Sequence, residues 1–288
     1  METPISFKCE DCELLGILNV PDTFSPRRGV VFIVADGPQY RVGAQRQFVT
    51  MARTMEKSGY ATLRFDYRGM GDSEGIHRGF EYVNEDIKAA VDALLASCTS
   101  IEEVVLWGEC DSAAAVLFYA HTDTRVKGVC IANPWVRTEE GRAKTIVKHY
   151  YQSRLVDKKF WKKLLSGQFE FRNSLVSLWN NIIKVFRAKN LSNPVRNNSS
   201  DSMNQQPLPS RLAYGLGSFD GQVLLILSGN DWIAKEFLDM VAASPVWQNL
   251  LNDERLVRHE IQDADHSFSR KVSRDELLRL NLEWLKSW

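Results

Sequence analysis

The 288-residue sequence lacks an excess of either charge. Lysine and arginine together number 36, aspartate and glutamate together number 36, and the formal net charge is therefore zero. A protein whose main partner is nucleic acid usually carries a strong positive balance or a basic face. The charge balance therefore argues against nucleic acid as the partner, and the chain length suits one large domain or a domain with an insertion.

Long hydrophobic runs and a targeting signal are also missing. No apolar stretch reaches the roughly 20 residues that a membrane-spanning helix needs. The start of the chain shows no basic flank followed by an apolar segment, which is the pattern of a secretory signal. We therefore expect a cytoplasmic protein without a transmembrane segment.

Cysteine is sparse, with five residues in the chain. An odd number of scattered cysteines in a reducing compartment indicates free thiols. Cys9 and Cys12 have the spacing of a redox or half-zinc motif, but no second pair with ligand spacing exists. Their segment instead resembles the turn of a hairpin between residues 5–9 and 14–20. The sequence therefore indicates no metal and no cofactor.

What the chain does contain is a regular alternation of strands and helices. Continuous apolar runs predict buried strands, and apolar residues at helical spacing predict the helices between them. The predicted strands cover 29–34, 60–65, 104–107, 126–132, 222–227 and 255–260, and the predicted helices cover 45–58, 83–96, 112–121, 233–242 and 274–288. This order is typical of an α/β protein with a mostly parallel, doubly wound sheet. Reactive groups of such sheets lie at the carboxyl ends of the strands.

The alternation stops after Asn133-Pro134 and resumes near residue 216. Residues 135–215 contain helix-like segments but no convincing buried strand, and the polar stretch 190–210 reads as a long mobile loop. We therefore expect a helical cap over residues 135–215, inserted between the two parts of the core, 1–134 and 216–288. The basic amphipathic helices of the cap could contact a membrane surface weakly, or pack on the core with their charges in water.

The segment Val104–Val116 carries the most information. An apolar run ends at Gly108, one polar residue follows, then Cys110, and then a run of small helix-forming residues. This is the layout of a nucleophile elbow, with cysteine in the usual place of serine and Ser112 in the place of the second small residue. The helix N-terminus favours negative charge, so we expect the Cys110 thiol to ionise more easily than a free cysteine. The alternative is a buried structural cysteine at a strand end.

Three residue types at strand ends complete a catalytic pattern. Cys110, Asp231 and His266 occur in the chain order nucleophile, acid, base. A thiolate can attack and carry an acyl group, histidine can take and return a proton near neutral pH, and a carboxylate can fix the histidine tautomer. The sequence therefore predicts a Cys-His-Asp triad. His266 as a surface loop residue, Asp231 as a helix N-cap, and Asp263 or Asp265 as the acid remain alternatives.

A second motif supports the same interpretation. The loop Phe65–Gly75 reads Phe-Asp-Tyr-Arg-Gly-Met-Gly-Asp-Ser-Glu-Gly, and with the elbow it resembles the α/β-hydrolase superfamily over nearly the whole chain. The segments Gly37–Gly43, Arg46–Phe48 and Gly108–Asp111 are similar to the exosortase A system-associated hydrolase family of type 1. That resemblance implies a cytoplasmic bacterial hydrolase with cysteine at the elbow, linked to exopolysaccharide production and protein sorting. It implies no particular substrate.

The superfamily pattern also predicts an oxyanion hole. One donor is the backbone N–H of Asp111, directly after the nucleophile. The residue that usually supplies the second donor is here Pro38, which has no N–H, so Gln39 is the candidate. The charge of Asp111 opposes ionisation of the neighbouring thiol. An anion is also favourable at the start of a helix, so the Asp111 side chain is expected to have a structural role.

Three further residues are predicted to line the substrate pocket, namely Tyr40, Arg41 and Trp135. Arg41 would attract a carboxylate or phosphate group of the substrate, or would be an ordinary surface arginine. The sequence leaves the oligomeric state open.

A thiol nucleophile favours substrates with good leaving groups. A thiolate leaves a tetrahedral adduct more readily than an amine does, so esters and thioesters suit the site better than amides. We therefore expect hydrolysis of a small-molecule or lipid-like acyl ester or thioester through an acyl-enzyme. The alternatives are an acyltransferase on the same triad, in which a dry capped site passes the acyl group to an alcohol or amine, and a non-catalytic binding protein that retains the fold.

Overall fold

The computed structural model describes residues 2–22, 25–36, 40–137 and 206–288. The described strands are β1 (Glu2–Cys9), β2 (Cys12–Asn19), β3 (Arg28–Ile33), β4 (Ala61–Phe65), β5 (Glu103–Glu109), β6 (Val126–Ala132), β7 (Gln222–Ser228) and β8 (Leu256–Ile261). They form one central sheet in the order β1-β2-β4-β3-β5-β6-β7-β8. β1 and β2 are antiparallel to their neighbours, and β3 to β8 are parallel to one another.

Helices flank this sheet to make a layered core. Within the described residues they are α1 (Gln47–Lys57), α2 (Asn84–Ser97), α3 (Asp111–Ala120), α4 (Leu208–Ser218), α5 (Trp232–Ala242), α6 (Pro245–Leu251) and α7 (Lys271–Lys286). α1 contacts α7, whereas α2, α3 and α4 contact one another in series. No helix of the described part of the chain is long and apolar enough to cross a bilayer.

The predicted fold class is confirmed, because the sheet is mostly parallel and its strands alternate with helices. The strand predicted over 126–132 is observed as Val126–Ala132, and most other predicted elements differ by one to three residues at their ends. Residues 30–33 of β3 and 223–227 of β7 are buried throughout. Helices cover both faces of these strands, which is why their sequences are continuously apolar rather than alternating.

The prediction of a loop over residues 190–210 is wrong at its end, because α4 begins at Leu208. Pro207 and Pro209 suggested a loop, but proline is tolerated in the first turn of a helix, where N–H groups have no intrahelical acceptor. α4 also crosses residue 215, the predicted end of the cap, and packs on α3 of the core. The predicted cap helices lie outside the described residues, so the division into core and cap stays a prediction.

The Cys9–Cys12 spacing belongs to the β1–β2 hairpin, as predicted. The two cysteines are paired in register across its turn, and all five cysteines of the chain are free. Burial raises the pKa of Cys9 to about 11. This thiol is therefore protonated at neutral pH.

Within the part of the chain that the structure describes, β1 and β8 form the two edges of the sheet, since each has a single neighbouring strand there. β1 carries exposed Pro4 and Lys8, and β8 carries exposed Arg258 and Glu260. Proline has no N–H to offer to a further strand, and the other three side chains are charged. Neither edge therefore presents an uninterrupted apolar strand to solvent.

Candidate active site

The predicted elbow is present at the end of β5. That strand ends at Glu109 and α3 begins at Asp111, so Cys110 stands alone at the turn. Cys110 has φ 61° and ψ −123°, a backbone conformation that non-glycine residues seldom adopt and that recurs at functional sites. Its N–H donates to the Ala132 carbonyl at 2.9 Å, and its carbonyl accepts from the Trp135 N–H at 3.0 Å. These two bonds hold the turn at the carboxyl end of the sheet.

Small residues on both sides allow the strand and helix to approach. A Cβ on Gly108 would lie 2.5 Å from the carbonyl oxygen of Ser112. The Ser112 hydroxyl accepts from the Glu109 N–H at 2.8 Å and donates to the Glu109 carbonyl at 2.8 Å. The serine in the second small position therefore joins the first turn of α3 to the end of β5.

Gly108→Ala is expected to lower the free energy of unfolding by about 1–3 kcal/mol, which is the usual cost of over-packing. The new methyl group would meet backbone atoms of Ser112 and Ala113, which cannot move aside as the end of a side chain can. Thermal unfolding followed by circular dichroism measures the loss. The matched control is Gly217→Ala, where the nearest atom is a side-chain carbon 3.4 Å away. An equal loss in both variants would contradict the steric explanation.

Asp231 and His266 meet at the ends of β7 and β8. Nδ1 of His266 lies 2.8 Å from Oδ2 of Asp231, whose side chain is only 5 % exposed. The same carboxylate accepts the N–H groups of Ile233 at 3.1 Å and Ala234 at 3.2 Å, at the start of α5. The sequence offered helix N-cap and histidine partner as alternatives for Asp231, and the residue does both.

Asp265 is not the carboxylate that holds the imidazole. Its side chain accepts the backbone N–H of Ser269 at 2.7 Å and also bonds the Ser269 hydroxyl. It therefore stabilises the loop that carries His266.

The Cys110 thiol lies near the His266 imidazole, and each group shifts the pKa of the other. Burial raises the pKa of Cys110, and the interaction with His266 offsets only part of that increase. The prediction of an easily ionised thiol is therefore wrong, because desolvation outweighs the helix N-terminus and the charge of Asp111 adds to it. Burial lowers the pKa of His266, but its bonds with Asp231 and Cys110 raise it to about 10.

Asp111 has the structural side-chain role expected of it. Its carboxylate accepts the backbone N–H of Asp36 at 3.0 Å, which ties the end of β3 to the elbow. Burial raises the pKa of Asp111 to about 6, and the charge of Asp36 contributes to the increase. The backbone N–H of Asp111 is a donor close to the sulfur of Cys110. Gln39, the predicted second donor, lies outside the described residues.

Arg41 has its charge already compensated. Its guanidinium bonds Asp66 and, at 2.6 Å, Asp72, and its backbone N–H donates to Asp66 at 2.6 Å. Asp66 is buried within the Phe65–Gly75 loop. The arginine therefore holds that loop in place, and the prediction that it attracts an anionic group of the substrate gains no support. Tyr40, its neighbour, is 44 % exposed.

Trp135 lies directly beside the nucleophile turn, since its N–H bonds the Cys110 carbonyl. Its ring faces the Arg137 guanidinium, whose Cζ is 4.6 Å from the ring centroid. Arg137 in turn bonds both carboxylate oxygens of Glu236, at 2.8 and 3.0 Å. Trp135 is thus held beside Cys110 through its backbone, and its ring is held by Arg137.

Comparison with known proteins agrees with the fold. The sequence profile described as the alpha/beta hydrolase fold matches residues 42–268. The chain belongs to the alpha/beta hydrolase fold family. Comparison with curated proteins gives no significant match.

Solved structures share the fold of this alpha/beta hydrolase family member along nearly the whole chain. A Pyrococcus furiosus esterase aligns with a TM-score of 0.64 at 16% identity, covering 100% of this chain and 90% of that one. The esterase domain of a Rhodothermus marinus protein aligns with a TM-score of 0.61 at 16% identity, covering 99% and 97%. The Butyrivibrio proteoclasticus protein Est1E, with ferulic acid bound, aligns with a TM-score of 0.62 at 13% identity, covering 98% and 97%. At such identities the likeness shows a common fold.

Two acidic residues at the site of this hydrolase-fold protein were not predicted from the sequence. Asp36, at the end of β3, accepts the Tyr67 hydroxyl, lies 2.9 Å from Nε2 of His77, and accepts the Phe80 N–H at 3.1 Å. Glu109, the polar residue of the elbow, is buried. In the sequence, each follows directly on an apolar strand-like run, and a charged residue in that position could have indicated a buried acidic group.

Within the described residues, no group of three or more His, Cys, Asp or Glu side chains is arranged to hold a metal ion. The histidines of the site are paired with carboxylates instead, His266 with Asp231 and His77 with Asp36.

Proposed function

We propose that the protein is a hydrolase that cleaves acyl esters or thioesters through an acyl-enzyme formed on Cys110. The observation that carries this proposal is the hydrogen bond between Asp231 and His266, together with the nearness of that imidazole to the Cys110 thiol. A carboxylate, an imidazole and a thiol in that order are the groups that nucleophilic acyl transfer requires. Their position at the carboxyl ends of parallel strands is where such folds carry reactive groups.

The reacting form of the Cys110–His266 pair has lost one proton, so that the imidazole is neutral. In the first half-reaction the sulfur of Cys110 attacks the acyl carbon, and the sulfur proton passes to Nε2 of His266. Asp231, bonded to Nδ1, stabilises the imidazolium that forms. The backbone N–H of Asp111 donates to the oxyanion of the tetrahedral adduct. The adduct collapses as His266 returns the proton to the departing alcohol or thiol.

In the second half-reaction His266 removes a proton from water, which attacks the Cys110 thioester. The resulting adduct expels the sulfur, which regains its proton from the imidazolium, and the carboxylic acid product leaves. Because burial raises the pKa of Cys110, attack is coupled to proton transfer rather than preceded by a stable thiolate. Esters and thioesters fit this route because their leaving groups need little assistance.

Intact-mass spectrometry with a panel of p-nitrophenyl esters and acyl thioesters tests the proposal. We expect a transient acyl adduct that maps to the Cys110 peptide and a matching release of free acid. Acyl release to an added alcohol or amine in preference to water would identify the acyltransferase alternative. Absence of both adduct and turnover across the panel would reject the proposal and favour the non-catalytic alternative.

We further propose that the hydrolase acts in bacterial systems for exopolysaccharide production and protein sorting. The resemblance of Gly37–Gly43 and Gly108–Asp111 to the exosortase A system-associated hydrolases supports this setting. Disruption of the gene in its host, with exopolysaccharide output as the readout, tests it, and unchanged output would argue against it.

A further inference from the structure

Glu109 is the residue of the elbow whose side chain the proposed reaction does not use. It ends β5 directly before Cys110 and is 8 % exposed. Its Oε2 accepts the Gln47 side-chain N–H of α1 at 2.9 Å. Its Oε1 is buried and has no hydrogen-bond partner among the described residues. A buried carboxyl oxygen without a hydrogen-bond partner costs free energy of folding and therefore needs an explanation.

The charge around this carboxyl group is mostly negative or neutral. The groups whose charge or hydrogen bond acts on it, or on which its charge acts, come from four elements, namely Gln47 on α1, Cys130 on β6, Asp231 after β7, and Asp265 and His266 in the loop before α7. Of these only His266 can carry a positive charge. The carboxylate is therefore favoured within this set by the hydrogen bond from Gln47 and by the charge of one residue, His266.

Burial raises the pKa of Glu109 to about 7, and the charge of His266 opposes the increase. The carboxyl group thus changes its charge near neutral pH. The interaction is reciprocal, because two coupled groups shift each other's titration by the same free energy. Protonation of Glu109 must therefore alter how tightly the Cys110–His266 pair holds its proton.

We infer that Glu109 is a positioning residue for the proposed reaction, acting through His266, and that its ionised carboxylate holds the proton on the Cys110–His266 pair. The inference rests on the proposed function of that pair. Whether sulfur or imidazole gives up the proton, the pair becomes more negative by one charge. A neighbouring anion opposes that change, whereas a neutral Glu109 does not.

This coupling predicts an unusual pH profile. As the pH passes neutrality Glu109 ionises, and release of the proton from the pair is then displaced to higher pH. The rate of any reaction that needs the deprotonated pair therefore rises more gradually than a single ionisation allows. The site would keep part of its activity over a wide pH range rather than switching at one value.

Glu109→Gln tests the inference, because the amide keeps the shape of the side chain and can still accept from Gln47. The rate of Cys110 alkylation by iodoacetamide is measured from pH 5 to 11, alongside kcat/KM for an activated ester. We expect both rising limbs to move to lower pH by about one unit and to become steeper. The control is Glu283→Gln, on the exposed face of α7, which should leave both limbs in place. An unshifted limb in Glu109→Gln overturns the inference.

The two readouts separate this inference from the proposed function. Alkylation reports on the thiol and does not require turnover. A shifted alkylation limb without any ester turnover in the wild-type protein would reject the hydrolase and support the coupling. Ester turnover, with rising limbs at the same pH in the wild-type protein and in Glu109→Gln, would support the hydrolase and overturn the coupling.

If Glu109→Gln does not fold, Gln47→Leu carries the test. The hydrogen bond from Gln47 lowers the pKa of Glu109, so its removal should raise that pKa. The pH range in which the alkylation rate rises more gradually than a single ionisation allows is then expected to lie at higher pH. A profile identical to the wild-type one overturns the inference.

Discussion

Cys110→Ala is expected to lower kcat/KM for an activated acyl ester by about 10³-fold or more, because no acyl-enzyme can form without the sulfur. The hydrogen bonds that shape the elbow involve the backbone of Cys110 and remain available to alanine. The loss should therefore appear in turnover and not in the unfolding temperature. Chromogenic ester hydrolysis measures the rate, and intact mass verifies that the acyl adduct is gone.

Cys12→Ala is the matched control for that variant. Cys12 is also a partly exposed free thiol, but it lies in the β1–β2 hairpin. Its replacement should leave both turnover and the adduct unchanged. Cys110→Ala with most of the wild-type rate, or an adduct that survives there and disappears in Cys12→Ala, would contradict the assignment of the nucleophile.

Asp231→Asn is expected to lower kcat/KM by about 10²–10⁴-fold, since the imidazolium formed during attack loses its carboxylate partner. The pH dependence should change as well. Asp231 raises the pKa of His266, so without its charge the Cys110–His266 pair gives up its proton at lower pH. The rising limb of kcat/KM should therefore move to lower pH while the maximum falls. An unshifted limb would show that Asp231 does not set the charge state of the pair.

Stability measurements distinguish the two tasks of Asp231. Asparagine is as good an N-cap as aspartate, so Asp231→Asn should keep the bonds to Ile233 and Ala234. Asp231→Ala removes the cap and the imidazole partner together, and it should cost about 0.5–2 kcal/mol of stability in addition to activity. Thermal unfolding of the two variants side by side separates the contributions.

The elements that bring the site together could be predicted from local sequence patterns. Cys110, Asp231 and His266 each follow a strand-like segment, and the parallel strands β5, β7 and β8 end at the same side of the sheet. Their proximity therefore follows from topology once the strands are recognised. The strained conformation of Cys110 follows from the elbow pattern in the same way.

The charge states of the site could not be predicted in this way. The helix N-terminus at Cys110 is visible in the sequence, but the burial that raises the pKa of the thiol is a property of the packed molecule. Arg41 read as a free cation because Asp66 and Asp72, which neutralise it, are 25 and 31 residues away. Interactions across such separations arise only when the loops are placed by the sheet.

Helix boundaries near proline were a further source of error. α6 begins at Pro245 after Ser244, whose hydroxyl accepts the Trp247 N–H at 3.5 Å. This Ser-Pro start resembles a turn in the sequence, as does the proline-rich start of α4 at Leu208. Proline marks both the beginning of a helix and the end of regular structure, so the following side chains and their packing decide between the two.

The edges of the sheet bear on how the protein behaves at high concentration. An open strand edge can template the addition of a strand from another molecule, which is a common route to aggregation. Pro4 and Lys8 on one edge, and Arg258 and Glu260 on the other, make both ends of this sheet poor templates. The turn at Cys110 directly follows β5, an interior strand. The proline and the charged residues can therefore disfavour self-association at the edge strands without altering the surroundings of Cys110.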